Sequence, residues 1–171
     1  QAHKLALHLL AITMVRRGEL VGAKWEDVHI DKGEWHIPKE NSKTGVPHIV
    51  YLSSQAALMF EELQSLAGSS EWVFPMRKDP RRPMAESTLN ASLTYIDWGT
   101  IPSFTLHDLR RTASTHLHEM EFASDVIEAA LNHRIPGIRG IYNRARYAEQ
   151  RKKMLQQWAD IVEGLRQDAS K

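Results

Sequence analysis

Between Val28 and Leu52 the hydrophobic period of the chain switches, and that switch limits what it can fold into. Upstream, Ala2 to Thr13 (AHKLALHLLAIT) sets Leu5, Leu9 and Ile12 at helical spacing, with Leu7 and Leu10 beside them, as in a largely buried helix. A break at Arg17-Gly18-Glu19-Leu20 leads into a short second helix. Then Val28-His29-Ile30, Glu34-Trp35-His36-Ile37 and His48-Ile49-Val50-Tyr51-Leu52 alternate with period two. They are separated by a turn at Asp31-Lys32-Gly33 and a loop at Asn41 to Gly45, so they predict three antiparallel strands joined by hairpins.

Helical patterning returns afterwards. Ser53 or Ser54 can cap a helix through Leu66 that Gly68 ends, and Ser87 one through Asp97. Thr105 can cap a helix from Leu106 to about Met120, and Ser124 or Asp125 begins one ending near His133. A last helix runs from about Tyr147 to Leu165, with Met154, Trp158, Ile161 and Leu165 on one face. Glu71 to Arg82 (EWVFPMRKDPRR) carries two prolines and reads as a basic loop. The expected architecture is a single α+β domain, mainly helical, with one small three-stranded antiparallel sheet.

Composition narrows the function classes. With 171 residues, 42% of them hydrophobic, the chain can bury a core. No apolar run approaches the roughly 18 residues that span a bilayer, so no membrane partner is expected. Cysteine is absent, which excludes disulfides, thiol nucleophiles and Cys-based zinc sites. The chain starts at Gln1 with no signal-peptide pattern, so further sequence upstream is expected. Net charge is only +1, but the charge is clustered. From Leu131 to Lys153 there are seven basic residues (Arg134, Arg139, Arg144, Arg146, Arg151, Lys152, Lys153) against the single acid Glu149. Arg77, Lys78, Arg81 and Arg82 form a second group around Asp79. Such groups either hold phosphates or form a solvated face.

The informative polar residues interrupt apolar context. Arg16 follows the first helix, with Glu19 three residues on to brace it. Lys43 sits at a hairpin tip. His107 and Arg110 share a helix face, and His133 ends the next helix. Tyr142 follows nine residues later, after a Pro-Gly break. Singly, each has a bland reading: a surface ion pair, a solvated lysine, a half-buried aromatic. Together they make two Arg, one Lys, two His and one Tyr, with no carboxylate cluster to bind Mg²⁺. Cations and imidazoles of this kind suit stabilisation of a phosphorane-like transition state without a metal, with the Tyr as nucleophile.

In order and spacing the set resembles the C-terminal catalytic domain of the tyrosine recombinase (phage integrase) family. Thr13-Met14-Val15-Arg16-Arg17-Gly18-Glu19-Leu20 is similar to that family's first arginine box, although many relatives carry Gly where Met14 stands. Lys43 falls at the family's lysine hairpin. Thr105 to Ala113 resembles the His-x-x-Arg box, Leu131-Asn132-His133 the Leu-x-His box, and Ile141-Tyr142-Asn143-Arg144 the nucleophile box. Ala145 to Gly164 is similar to prophage integrases that insert at tRNA genes. Arg17, Arg111 and Tyr147 compete within these boxes, but only Arg16 has an acid at +3 and only Arg110 a His at −3. Tyr51 and Tyr95 read as packing residues, and His116 and His118 as structural or solvated.

The resemblance implies a DNA breaking-rejoining enzyme of the site-specific recombinase kind, without cofactor or metal. It implies Tyr142 as nucleophile and Arg16 and Arg110 as a phosphate clamp. His107 would be the proton acceptor, His133 a phosphate donor, Lys43 the acid for the leaving 5′-oxygen, and Glu19 a support. Arg77, Lys78, Arg81, Arg82, Arg139 and Arg144 are candidate DNA contacts. Implied partners are double-stranded attachment sites, a homotetramer on DNA with a free monomer, an excisionase and DNA-bending accessory proteins. The C-terminal helix either packs on its own core or is exchanged between protomers. Core-binding and arm-binding domains would precede Gln1, and the implied location is the bacterial cytoplasm, at the nucleoid. Two other classes stay open: an integrase-like DNA-binding module without strand exchange, and a type IB topoisomerase-like relaxation activity.

Overall fold

The first helix, α1 (Ala2–Thr13), lies where the sequence predicts it and buries Leu5, Ala6, Leu9, Leu10 and Ile12. In this computed structural model, which describes residues 1–133 and 146–169, α1 ends at Met14 in a left-handed conformation (φ 57°, ψ 19°). The short α2 (Arg17–Val21) follows at once. Strands β1 (Val28–His29), β2 (Glu34–Ile37) and β3 (His48–Tyr51) form the expected antiparallel sheet in the order β1-β2-β3. Trp35 faces Val28 on one side and Val50 on the other. Alternation puts Trp35, Ile37 and Val50 on the buried face, where Trp35 meets Phe60 edge-on at 5.8 Å.

Helix α3 (Ser54–Ala67) has Ser53 as its cap, the Oγ accepting from the Ala56 amide, and Gly68 at its end. Three expectations then fail. Glu71 to Arg82 is not a loop: β4 (Pro75–Met76) and β5 (Asp79–Pro83) form a two-stranded antiparallel hairpin. Proline lacks an N–H but keeps its carbonyl, so it is tolerated on edge strands. The Pro80 carbonyl accepts from Ser70 Oγ at 2.7 Å and the Arg81 carbonyl from Trp72 Nε1 at 3.1 Å. The next helix, α4 (Glu86–Thr94), starts from Ala85 rather than Ser87 and stops short of Asp97. Tyr95, expected to pack, is instead 86% exposed at its end.

Helix α5 (Leu106–Glu119) is opened by the Thr105–Asp108 capping box, and α6 (Ser124–Ala130) and α7 (Ala148–Asp168) complete the domain. The apolar face of α7 differs from the expected stripe. Met154, Leu155, Trp158 and Ala159 are buried, whereas Ile161 is 38% and Leu165 65% exposed. The helix packs in cis, and Trp158 Nε1 donates to the Ala11 carbonyl at 2.8 Å. No helix among the described residues is long and apolar enough to cross a membrane.

Buried side chains form two cores. One joins α1, the sheet and α3 around Leu9, Trp35 and Phe60. The other joins α5, α6 and α7 around Leu117, Ile127, Met154 and Trp158. Met14 belongs to the second and its neighbour Val15 to the first. At the turn that presents Arg16 the chain therefore touches both cores.

Candidate active site

Where the two cores meet, a cleft of about 650 Å³ opens, and Arg16, Glu19, Lys43, His107 and Arg110 line it. Five residues from three separate sequence segments thus share one cavity, as their spacing alone could not require.

Glu19 is the hub of one wall. It is 2% exposed, and its carboxylate accepts from the Arg16 amide (2.9 Å), the Arg16 Nη1 (3.1 Å) and the Lys43 amide (3.3 Å). One buried acid thereby fixes the arginine at the start of α2 and the β2–β3 loop that carries Lys43. Asn41 Nδ2 adds a bond to the Gly22 carbonyl at 2.9 Å. Arg17, the neighbouring candidate, points elsewhere: its Nε donates to Glu86 at 2.7 Å and its Nη1 to Asn90 at 2.9 Å.

Arg110 is the hub of the other wall. Although it sits three residues from exposed His107 on α5, it is only 4% exposed. One Nη donates to the Met14 carbonyl; the other donates to the Leu131 carbonyl at 2.7 Å and lies 3.3 Å from His133 Nε2. A guanidinium has five N–H donors, and three of them meet partners among the described residues. Its Nε–H is buried without a partner, and no carboxylate lies within ion-pair distance of Arg110 among the described residues. Burial, and then the charge of Arg16, push its pKa down to about 10, so it remains a cation at neutral pH. A desolvated cation with a spare donor, opening onto a cleft, is a site that an anion would complete.

His133 Nδ1 lies 2.8 Å from Glu128 Oε2. Because the carboxylate can only accept, Nδ1 carries the proton, and Nε2 accepts from Arg110. Donation from His133 to a phosphate would then require a second proton, on Nε2. Tyr142, Arg139 and Arg144 lie outside the described residues. Tyr147, the competing phenol, packs against the second core, its hydroxyl 3.4 Å from Asp125 Oδ2.

The other basic residues separate. None of Arg77, Lys78, Arg81 or Arg82 lines the cleft; they stand on the β4–β5 hairpin, Arg81 paired with Asp79 at 2.9 Å. Arg151, counted in the basic cluster, is buried at 4% exposure and lies 5.0 Å over the Tyr51 ring. His116 stacks on Trp158 at 6.0 Å, and His118 Nδ1 bonds the Ser114 carbonyl at 2.7 Å.

The sequence model of the phage integrase family matches residues 1–149. The chain belongs to the phage integrase family. Similar to this chain is the prophage integrase IntA of Escherichia coli K12, 40% identical over 152 residues, which make up 88% of this chain and 36% of IntA. The integrase of mycobacterium phage Brujita superposes with a TM-score of 0.69 at 16% identity, over 91% of this chain and 51% of that one. A lambda integrase tetramer bound to a Holliday junction superposes with a TM-score of 0.60 at 22% identity, over 85% and 43%. The chain spans about two fifths of the length of the curated relatives it matches.

The left-handed φ of 57° at Met14 is a conformation that Gly adopts without a Cβ clash and that other residues rarely take. Two contributors were not visible in the sequence. Glu128 lies five residues before His133, a spacing with no special meaning until α6 ends in a turn. Asn132, in the Leu-x-His box, reaches residues 88 and 90 positions away.

Proposed function

We propose that the chain is the catalytic domain of a site-specific DNA recombinase, acting on double-stranded attachment sites in prophage or genomic-island integration and excision. Tyr142 Oη attacks the scissile phosphorus, the P–O5′ bond breaks, and a 3′-phosphotyrosyl link forms. His107 takes the phenol proton and Lys43 delivers one to the leaving 5′-oxygen. A 5′-hydroxyl of the partner duplex then attacks the phosphotyrosine and restores the phosphodiester, so bond energy is conserved without a cofactor. A free Tyr ionises only near pH 10, so the cations at the phosphate supply the driving force. Arg77, Lys78, Arg81 and Arg82 hold flanking backbone, with Arg139 and Arg144. Assembly is a tetramer on DNA, as the lambda integrase complex is. Accessory bending proteins and an excisionase set direction.

The observation that carries this reading is Arg110. Its buried guanidinium binds the segments bearing Arg16 and His133 together and still has a donor unspent over a cleft shared with Lys43 and His107. Arg suits the task because its planar fork matches phosphate and keeps its proton. The test is nicked suicide DNA and a gel for covalent adduct, run with and without EDTA. The protein traps DNA under both conditions, Tyr142→Phe abolishes the adduct and leaves DNA binding within about twofold, and Tyr147→Phe traps normally. An adduct that persists in Tyr142→Phe and vanishes in Tyr147→Phe overturns the assignment.

A further inference from the structure

The residues on either side of Lys43 are tied to the end of α6 by one side chain. Asn132 Nδ2 donates to Ser42 Oγ at 3.0 Å and to Thr44 Oγ1 at 3.1 Å, and the two hydroxyls lie 3.1 Å apart. Ser42 is 7% exposed and Thr44 and Asn132 are half-buried, so the tether is partly shielded from competing water. Asn132 adopts φ 49°, a left-handed conformation that Asn tolerates better than most residues, and from the end of α6 its side chain meets the β2–β3 loop. The next residue is His133, whose ring contacts Arg110 and Glu128. The Lys43 amide is meanwhile held by Glu19. The Lys43 side chain itself is exposed. The backbone at this lysine is thus held by Glu19 on one side and, through Ser42 and Thr44, by Asn132 on the other, while its side chain stays exposed.

We propose that Asn132 is a positioning residue for the acid step: it clamps the Lys43 loop to the His133–Arg110 wall so that the lysine reaches the leaving oxygen of a phosphate held there. This rests on the recombinase reading given above. In that step the P–O5′ bond breaks and Lys43 Nζ gives its proton to the 5′-oxygen. With sulfur in the bridging position the P–S bond breaks and a thiolate departs without any proton. A residue acting through Lys43 must then matter for oxygen and not for sulfur.

Asn132→Gly isolates the tether, because Gly accepts φ 49° without strain and only the amide group is lost. A general acid supplies about 10²–10⁴-fold, and a misplaced one forfeits part of that. We expect adduct formation on ordinary nicked DNA to slow about tenfold, and that on the 5′-bridging phosphorothiolate to stay within about twofold. Ser42→Ala with Thr44→Val should reproduce this, and adding Asn132→Gly to that pair should slow nothing further, because groups in one network are not additive. Amide exchange of Ser42 to Thr44 should accelerate in Asn132→Gly, a readout that needs no activity. Equal slowing on both substrates, additivity with the Ser42/Thr44 pair, or unchanged exchange each overturns the proposal. If the unaltered protein forms no adduct on either substrate while exchange accelerates as expected, the recombinase reading fails and takes the acid step with it, and the clamp stands as structure only.

Discussion

The Arg110 guanidinium donates to the Met14 carbonyl, 96 positions earlier, and to the Leu131 carbonyl, so one side chain fastens the turn ahead of Arg16 to the helix end that presents His133. These bonds replace an ion pair. A backbone carbonyl neutralises a buried cation less completely than a carboxylate would, and the residual charge is left for a ligand. Arg110 is thus a brace and a reagent at once.

That double duty makes Arg110→Lys a costly exchange. An ammonium has one nitrogen and cannot reach both carbonyls and His133 together. Charged hydrogen bonds are worth about 1.5–3 kcal/mol each, so losing one should lower unfolding free energy by about 2 kcal/mol. Urea denaturation measures it. Adduct formation on nicked DNA should fall by at least about 100-fold, as when one preorganised donor is removed from a developing anion. Near-normal cleavage in the Lys variant would show that the fork geometry is irrelevant.

A second expectation concerns His48, which is 7% exposed on β3 with Nε2 bonded to the Ala130 carbonyl at 3.1 Å. Burial, then the charge of Arg151, push its pKa down to about 3 against the opposing Ala130 bond, with weaker help from the charges of Arg110 and Arg16. The folded chain therefore keeps His48 neutral where the unfolded chain protonates it, below about pH 6.5. The stability contribution is fully present above pH 6.5 and is lost as pH falls toward 3, at up to about 1.4 kcal/mol per pH unit. His48→Gln should flatten the slope of unfolding free energy between pH 6 and 4. An unchanged slope would mean that His48 is protonated in the folded state.

How far the sequence could take this site depends on how local each relationship is. The Arg16–Glu19 brace spans three residues and was readable from i,i+3 geometry, and so were the Thr105 cap and the alternation around Trp35. The same logic placed His107 and Arg110 on one face but could not tell that one is exposed and the other buried, because that depends on Met14 and Leu131 arriving from elsewhere. Asn132 meeting Ser42 and Thr44 is likewise a product of tertiary packing. The β4–β5 hairpin was hidden by its prolines, which weaken strand signals although an edge strand accepts them. On α7 the helical period was right and its span wrong. The helix outruns the core that it covers, so Ile161 and Leu165 keep the periodicity without the burial.

Met14 sets two effects against each other. Its left-handed conformation costs about 1–2 kcal/mol relative to Gly, yet its side chain is fully buried in the second core. Met→Gly removes that packing, and truncating a buried Met to Ala alone costs about 2–5 kcal/mol. Packing should win, with Met14→Gly destabilised by about 1–3 kcal/mol in chemical denaturation. A more stable Gly variant would mean that strain relief outweighs the cavity.

The last prediction concerns whose core α7 completes. Trp158 is 5% exposed, stacks with His116 and donates to the Ala11 carbonyl, so it joins α7 to both α5 and α1. Leu165, two turns later, is 65% exposed and is absent from both cores. Trp158→Ala should therefore cost about 3–5 kcal/mol, whereas Leu165→Ala should stay within about 0.5 kcal/mol. Because α7 packs in cis, the denaturation midpoint of either variant should not move with protein concentration. If α7 instead filled the core of a neighbouring protomer, the unaltered protein would unfold at a concentration-dependent midpoint and Trp158→Ala would weaken association first. Measuring both variants at micromolar concentrations about 50-fold apart separates these cases. A concentration-dependent midpoint in the unaltered protein sinks the cis assignment.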